Sequence, residues 1–249
     1  MKIKIVQIIS KFGLIFLPLY FVLYVNQTSA GQEPYIRVLI SRSKNIRIRS
    51  NKTIPLKVKD DDNFTKRVKG ITIKQFQDKT TLTFDRNKEK VYELEKWQSF
   101  YVSSSDHKGI WVGQKRYSGI INIFVLDSGI LVVNEIGIED YLNSVVGSEM
   151  PYQWPLEALR AQAIASRTYA LSQKGNKIYD IDSTEKNQVY NGLESRTINT
   201  LRAVKSTRSL VLVHNNKLIN ALFHSSSGGM TEDSHNVWDK EVPYLKSVK

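Results

Sequence analysis

The feature that most constrains the fold of this chain is a change in the spacing of its apolar residues near Ile136. Between Tyr35 and about Asn134, apolar and polar residues alternate with a period of two, which is typical of half-buried strands. The alternating segments read YIRVLIS, IRIRS, GITIKQF, TTLTF, KVYELE and SFYVSS. From Ile136 onward the spacing becomes helical. We therefore expect an α+β protein, with a β-rich N-terminal half followed by an α+β half.

Local signals place several elements within these halves. The segment SGIINIFVLDSGILVVNEI predicts a β-hairpin that turns at residues 127–129. A helix is predicted to start at Pro155, a residue favoured at the first helical position. A short helix is expected near residues 195–206, followed by two strands joined by an Asn215-Asn216 turn.

The N-terminus indicates export. Lys2, Lys4 and Lys11 precede an uncharged apolar run that ends at Val25, and the sequence NQTSAG follows. This is the layout of a secretory signal peptide, so we predict a leader over residues 1–30; an uncleaved N-terminal anchor is the alternative. We expect the rest of the chain in the periplasm or cell envelope, with membrane contact only through an uncleaved N-terminal segment.

The charge of the chain points to a polyanionic neighbour. The 249 residues contain 36 Lys and Arg against 24 Asp and Glu, a formal net charge of +12. Because the chain is expected to be exported, we predict cell-wall partners and no nucleic acid. The basic residues of the β-rich half occupy mainly outward positions, which favours a solvated strand face; a groove for a polyanion is the alternative.

The absence of cysteine excludes whole classes of site. Without cysteine the chain has no disulfide, no thiolate zinc site and no cysteine nucleophile. Two of the four histidines, His224 and His235, could contribute to a metal site, but their spacing is not that of a ligand motif. We therefore predict no metal and no cofactor.

Glu149 breaks an otherwise regular helical pattern. Counting from Ile138, the apolar positions include Tyr141, Leu142, Val145 and Val146, and the next position on that face is Glu149. If this carboxyl group lies in an apolar pocket, burial raises its pKa and suits it to donate a proton. The alternative is that Gly147 ends the helix and leaves Glu149 in an exposed loop before Pro151.

Two arginines on the Pro155 helix also need partners. Arg160 and Arg167 fall on the side of this helix that carries its leucines, and arginine is rarely buried unpaired. We expect each to contact a carboxylate or a substrate group, unless both extend outward to solvent.

Farther along, the loop FHSSSGGMTE offers hydroxyl and backbone N–H groups for a polar substrate, or is only a flexible turn.

Three stretches together resemble the SpoIID/LytB domain family. They read YLNSVVGSEMPYQWPLEALRAQAIASRTYAL, DSTEKNQVYNG and ALFHSSSGGMTEDSHNVWDKEVPYLKSV, and the resemblance spans roughly residues 118–249. Together with the leader or anchor at 1–30, it divides the chain into a β-rich region at 31–117 and a SpoIID-like catalytic core at 118–249. Because the family usually continues beyond VPYLKSV, we expect that core to end early.

The resemblance implies peptidoglycan glycan strands as the substrate and two possible functions. One is a lytic transglycosylase, which cleaves between N-acetylmuramic acid and N-acetylglucosamine and leaves an anhydro-muramyl end. The other is a non-catalytic wall-binding protein that enhances an amidase. Some members bind zinc through cysteines and histidines, but this chain lacks the cysteines.

The resemblance also implies roles for individual residues. Glu149 matches the catalytic acid of the family, and one carboxyl group is sufficient when the sugar's own hydroxyl is the nucleophile. Because a neighbouring Arg167 would lower the pKa of Glu149, we expect Arg167 to pair elsewhere, with Asp182, Glu232 or a substrate carboxylate. The predicted substrate-binding residues are Arg160, Arg167, Gln188, Tyr190, His224, Ser225, Ser226, Ser227, Gly228, Gly229 and Thr231.

Overall fold

The structure is a computed structural model that describes residues 4–7, 33–59, 61–85, 87–175 and 178–249. The predicted leader falls outside this range except for one short strand at its start. Among the described residues, no helix has the length and apolar character needed to cross a membrane.

The chain forms fourteen strands within the described ranges; one of them precedes residue 33 and three follow the first helix. They are β1 Lys4–Gln7, β2 Tyr35–Ser43, β3 Asn45–Val58, β4 Asp61–Phe76, β5 Lys79–Phe84, β6 Asn87–Leu94, β7 Ser99–Ser103, β8 Ile110–Val112, β9 Lys115–Tyr117, β10 Ile120–Leu126, β11 Gly129–Gly137, β12 Ile181–Asp182, β13 Leu210–His214 and β14 Lys217–Leu218. The helices are α1 Ile138–Glu149, α2 Leu156–Ser172, α3 Ile198–Ser206 and α4 Ser234–Trp238, with a 3₁₀ turn at Gly192–Ser195. The protein is therefore of the α+β class, as predicted.

Most strands join one large sheet. Its order is β12-β2-β11-β10-β7-β3-β4-β5-β6, and the β8–β9 hairpin pairs with β3 beside β7. Neighbouring strands are antiparallel except for β12, which runs parallel to β2. A smaller sheet contains β1, β13 and β14. The large sheet presents one face to the core, so its burial alternates along strands such as β10 and β7.

The predicted turns are confirmed. β10 and β11 form a hairpin in which Leu126 pairs with Gly129, so Asp127 and Ser128 make the turn. β13 and β14 are joined by Asn215 and Asn216, which have φ angles of 50° and 60°. Asparagine tolerates this left-handed conformation better than most residues, which explains the pair at the tip of the hairpin.

The large sheet crosses the predicted boundary between residues 117 and 118. β2 pairs with β11, and β7 pairs with β10, so strands from both sides of this position alternate in the sheet. The boundary falls in the turn between β9 and β10. Consequently the first helix after this position, Ile138–Glu149, starts directly from a strand that is paired with β2.

The three long helices pack beside this sheet. The apolar face of α1 is fully buried, as its spacing predicts: Tyr141, Leu142, Val145 and Val146 all lie in the main core. α2 starts at Leu156 immediately after Pro155, contacts α1 and α3, and contributes Leu159 and Ala163 to the same core. The end of α1 and one side of α2 are thereby fixed relative to each other.

Candidate functional site

Helix α1 continues through Gly147 and ends at Glu149. The alternative that Gly147 ends the helix is therefore wrong. A Cβ atom at Gly147 would lie 2.1 Å from the carbonyl oxygen of Ser195, so glycine lets the 3₁₀ turn approach the helix backbone. Its role is close packing, not helix termination.

The Glu149 side chain is half-buried at this helix end. Its Oε1 atom accepts a hydrogen bond of 2.5 Å from the backbone N–H of Val189. Burial raises the pKa of the Glu149 carboxyl above its ordinary value, the Val189 N–H opposes this rise, and the carboxylate of Glu185 adds to it. The net result is a carboxyl group that holds its proton to higher pH than an exposed glutamate does.

Glu149 lines an open cleft of about 880 Å³. The walls are the residues around the end of α1, one side of α2, the loop at residues 185–189 and the segment at residues 222–225. Trp154, which is 50% exposed, forms part of the rim. The cleft combines a proton donor, polar groups and an aromatic ring in a groove open to solvent, which suits a long polar polymer.

Two of the predicted substrate-binding residues reach this cleft beside Glu149. His224 and Ser225 line it, and the Nδ1 atom of His224 lies 3.0 Å from the carbonyl oxygen of Ser226. The following part of the loop is exposed, with Gly228 and Gly229 at φ angles of 66° and 107°. Ser226, Ser227, Gly228 and Gly229 belong to this exposed loop rather than to the cleft lining.

Thr231 is held by the end of the chain. Its N–H donates to the carbonyl oxygen of Val248 at 2.8 Å, and its hydroxyl oxygen accepts from the N–H of Val248 at 2.8 Å. These bonds, and one from the Ser247 hydroxyl to the Thr231 carbonyl oxygen, tie the exposed loop to residues 247 and 248. The structure therefore gives Thr231 a bridging contact and places it outside the cleft lining.

The two predicted arginines lie away from the cleft lining. Arg167 is 1% exposed and forms a bidentate ion pair with Glu139, with Nε–Oε1 and Nη2–Oε2 distances of 2.9 and 2.7 Å. It pairs away from Glu149, as we expected. The suggested partners Asp182 and Glu232 are wrong, because the bidentate partner is a glutamate in the first turn of α1. Arg160 bonds to Glu157 and to the hydroxyl of Ser206 instead.

Gln188 and Tyr190 are buried on either side of Val189. Gln188 accepts a hydrogen bond from the hydroxyl of Tyr141 at 3.1 Å, and Tyr190 donates to Asn134 at 2.7 Å. Their side chains thus hold the backbone that presents the Val189 N–H to Glu149. The structure places both behind the cleft, where they position the site rather than line it.

Several cleft residues were absent from the sequence prediction: Trp154, Gln162, Tyr169, Glu185, Lys186 and Asn187. Gln162 and Tyr169 are seven apart on α2, so a helical count could have placed them on one face. The hydroxyl of Tyr169 accepts from Asn187 Nδ2 at 3.0 Å, which joins α2 to the loop at residues 185–189. Trp154 lies in the short segment between Pro151 and Pro155, where neither helical nor strand periodicity applies, so the sequence pattern did not predict its exposure.

The described side chains do not gather into a metal site: no three histidine, aspartate or glutamate residues among them are close enough to hold an ion. The cysteine ligands implied for zinc by the resemblance are missing from the sequence. The residues at the cleft therefore do not fit that metal, and the chemistry of the site is argued from its side chains.

Comparison with known proteins connects this geometry to a family. The family model described as stage II sporulation protein, SpoIID, matches residues 126–214. An uncharacterised protein of Brachyspira hyodysenteriae is 41% identical over 137 residues, covering 53% of this chain and 37% of that protein. The amidase enhancer of Bacillus subtilis is 45% identical over 108 residues, covering 43% of this chain and 15% of the enhancer.

A further relative extends over more of the chain. The stage II sporulation protein D of Bacillus subtilis is 31% identical over 189 residues, which cover 68% of this chain and 53% of that protein. The chain thus spans about half, or less, of the length of these curated relatives. The matched region contains α1, α2, the loop at residues 185–189 and therefore most of the cleft.

Proposed function

Because this chain belongs to the SpoIID/LytB family, we propose that it is an exported peptidoglycan lytic transglycosylase. The proposed reaction cleaves the bond between N-acetylmuramic acid and N-acetylglucosamine in a glycan strand. The observation that supports it is the half-buried Glu149 carboxyl in an open cleft, with its pKa raised mainly by burial.

The proposed chemistry uses one carboxyl group twice. Glu149 first donates its proton to the glycosidic oxygen, which leaves with the N-acetylglucosamine as the bond to the muramyl C1 atom breaks. The C6 hydroxyl of the same muramyl residue then bonds to C1 and gives its proton to the Glu149 carboxylate. Glu149 is thereby restored and no water is consumed, so the second carboxylate of an ordinary glycosidase is not required.

The other cleft residues supply binding rather than proton transfer in this proposal. Trp154 offers an exposed ring on which the apolar face of a sugar can stack. His224, Asn187 and Gln162 place hydrogen-bonding groups along the walls. The Val189 N–H holds Oε1 of Glu149, so the acid keeps a fixed position while a strand lies across it.

The proposal is tested with peptide-free glycan strands. Purified protein starting at Gly31 is expected to release anhydro-muramyl products, detected by mass spectrometry. Glu149→Gln should lower the rate by about a hundredfold or more, because the amide cannot donate the required proton. Circular dichroism checks that both proteins are folded. Folded wild type that yields no anhydro product would exclude the enzymatic role.

The second candidate is a non-catalytic amidase enhancer. It is favoured by the 45% identity to the Bacillus subtilis amidase enhancer, although the match covers only 15% of that protein. In this case the cleft binds glycan and the partner amidase performs the hydrolysis. An amidase assay on whole sacculi distinguishes the candidates: stimulation that is equal with wild type and Glu149→Gln, without anhydro product, would favour the enhancer.

A further inference from the structure

A second surface of the molecule concentrates positive charge on the side of the large sheet that faces away from the core. On β3 most even-numbered residues, such as Ile48 and Leu56, are buried, so the odd-numbered residues between them face outward. Strand pairing places outward residues of β4, β7 and β8 beside them. The cations of this surface, which we term the basic face, are Arg47, Arg49, Lys57, Arg67, Lys74 and Arg116.

Aromatic rings alternate with these cations. Trp111 on β8 lies opposite Arg49 in the strand register, and its ring centre is 4.4 Å from the guanidinium carbon of Arg49 and 5.2 Å from that of Arg116. The ring of Tyr101 on β7 lies 5.9 Å from the ammonium of Lys57. Cation–π contacts of this kind hold long basic side chains flat against the sheet.

The basic face carries more positive charge than its neighbouring carboxylates balance. Arg47 pairs with Asp85 at 3.0 Å, and Arg116 pairs with Glu194 at 2.7 Å. Arg49, Lys57, Arg67 and Lys74 make no ion pair with any carboxylate whose side chain the structure describes, a set that leaves out residues 60–64 and 86–90. A hollow of about 360 Å³ is lined by Arg47, Lys74, the hydroxyls of Thr72 and Thr83, and the Asp85 carboxylate that pairs with Arg47. The surface thus combines free positive charge with hydroxyl groups.

Direct contacts link the basic face to the cleft. Ser148 lines the cleft, and its hydroxyl accepts from Asn191 Nδ2 at 3.2 Å. The Oδ1 atom of Asn191 accepts from Lys115 Nζ at 2.7 Å. Lys115 precedes Arg116, whose guanidinium lies beside Trp111. A polymer that leaves the cleft past Ser148 therefore meets the first cation–aromatic cluster of the basic face.

We propose that the basic face binds a carboxylate-bearing glycan strand of the cell wall. The identity of this polymer rests on the proposed function, whereas the charge of the face does not. Guanidinium and ammonium groups attract the carboxylates of the strand, and the aromatic rings and hydroxyls between them suit sugar rings. A glycan fits better than a membrane surface, because Trp111 and Tyr101 are half-buried beneath cations and do not project as apolar anchors.

The test measures binding without cleavage. In the Glu149→Gln background, we combine Arg49→Gln, Lys57→Gln and Lys74→Gln and measure co-sedimentation with purified peptidoglycan sacculi. The matched control replaces three exposed cations elsewhere, Arg202→Gln, Lys205→Gln and Lys217→Gln, so that both proteins have the same net charge. Thermal unfolding by circular dichroism confirms that all variants are folded.

The basic-face variant should bind sacculi about tenfold more weakly than the control, since three modest charge contacts are lost. Amidation of the sacculus carboxylates should weaken binding of the control protein to a similar extent. Equal binding by the two triple variants would overturn the proposal. Stronger binding of the control to phosphatidylglycerol vesicles than to sacculi, abolished in the basic-face variant, would instead assign the face to a membrane and also overturn it.

The same experiment separates this inference from the proposed function. Anhydro-product release by wild type from short soluble glycan fragments reports the cleft alone. If sedimentation depends on the basic face while no anhydro product forms, the face binds glycan and the transglycosylase proposal fails. If product forms while both triple variants sediment equally, the transglycosylase proposal stands and the basic face is only a solvated surface.

Discussion

At the scale of single residues, three neighbouring groups determine the pKa and the orientation of the Glu149 carboxyl. Burial raises the pKa of its carboxyl, the Val189 N–H lowers it, and the nearby Glu185 raises it. The backbone N–H of Val189 donates to Oε1 of Glu149, so a proton on Oε2 leaves that hydrogen bond intact. The side chain is therefore oriented in its protonated state, which is the state that a general acid requires.

This environment predicts the pH dependence of glycan cleavage. In the proposed reaction the protonated Glu149 is the active form, and the pKa of its carboxyl is raised, so kcat/KM should be highest at low pH and fall as the pH rises through the raised pKa. Glu185→Gln removes a carboxylate that raises this pKa, and it should move the falling limb to lower pH. The measurement is the pH profile of kcat/KM for both proteins on peptide-free strands. A limb that stays in place, or moves to higher pH, would contradict this assignment of Glu149.

Arg167 was expected to contact substrate, but its geometry indicates a structural role. Its guanidinium is enclosed by Glu139 and by the carbonyl oxygens of Leu210 and Ala163. It joins the first turn of α1, the middle of α2 and the start of β13. Because Glu139 also accepts from the N–H of Ser209, this one ion pair connects three elements around the site.

Replacing Arg167 should therefore lower stability. Arg167→Met leaves the buried Glu139 carboxylate unpaired and should reduce the free energy of unfolding by about 3–5 kcal/mol. Arg160→Met is the control on the same helix, because its ion pair with Glu157 is near the surface and should contribute less than about 1 kcal/mol. Urea denaturation measures both. A stable Arg167→Met protein that has lost glycan binding would restore the substrate-binding interpretation.

At the scale of elements, the close approach of α1 to the 3₁₀ turn supports the end of the helix that carries Glu149. The hydroxyls of Ser144 and Ser148 both lie 2.9 Å from Ser195 Oγ, and Gly147 provides the space for this contact. Side chain and backbone thus lock the last turns of α1 against residues 192–195. Glu149 follows directly from the locked segment.

Gly147→Ala should disturb this contact. The added Cβ atom would lie 2.1 Å from the Ser195 carbonyl oxygen, so the turn must shift, at a cost of about 1–3 kcal/mol. Gly175→Ala is the control, since a Cβ atom there meets nothing within 4 Å. Thermal unfolding and product release should both be impaired in Gly147→Ala alone. Unchanged stability would show that the helix and the turn can separate freely.

The elements that the sequence predicted best are those governed by local periodicity. α1, α2 and the two hairpin turns follow from spacing that involves neighbouring residues only. The partners of charged residues do not follow from local spacing: Arg37 pairs with Asp180 across 143 positions, and Arg167 pairs with Glu139 across 28 positions. Spacing identified Glu149 as unusual, but the residues opposite it depend on which loops the fold brings together.

At the scale of the whole molecule, the large sheet unites segments that are distant in sequence. β2 pairs with β11 through Gly137, the residue before α1, and also with β12 near the loop at residues 185–189. On β2, Ile36 and Val38 are completely buried. Arg37 bonds to Asp180 from the same strand. β2 therefore supports two walls of the cleft from outside the region that the family model matches.

This arrangement predicts that residues 118–249 do not fold alone. Without β2, both the edge of β11 and the core positions covered by Ile36 and Val38 become exposed, and β12 loses its partner. The fragment should show no cooperative thermal transition, whereas residues 31–249 should unfold in a single cooperative step. Circular dichroism and size-exclusion chromatography at equal concentration make the comparison. A monomeric 118–249 fragment that melts cooperatively and binds glycan would demonstrate an autonomous domain and contradict the supporting role of β2.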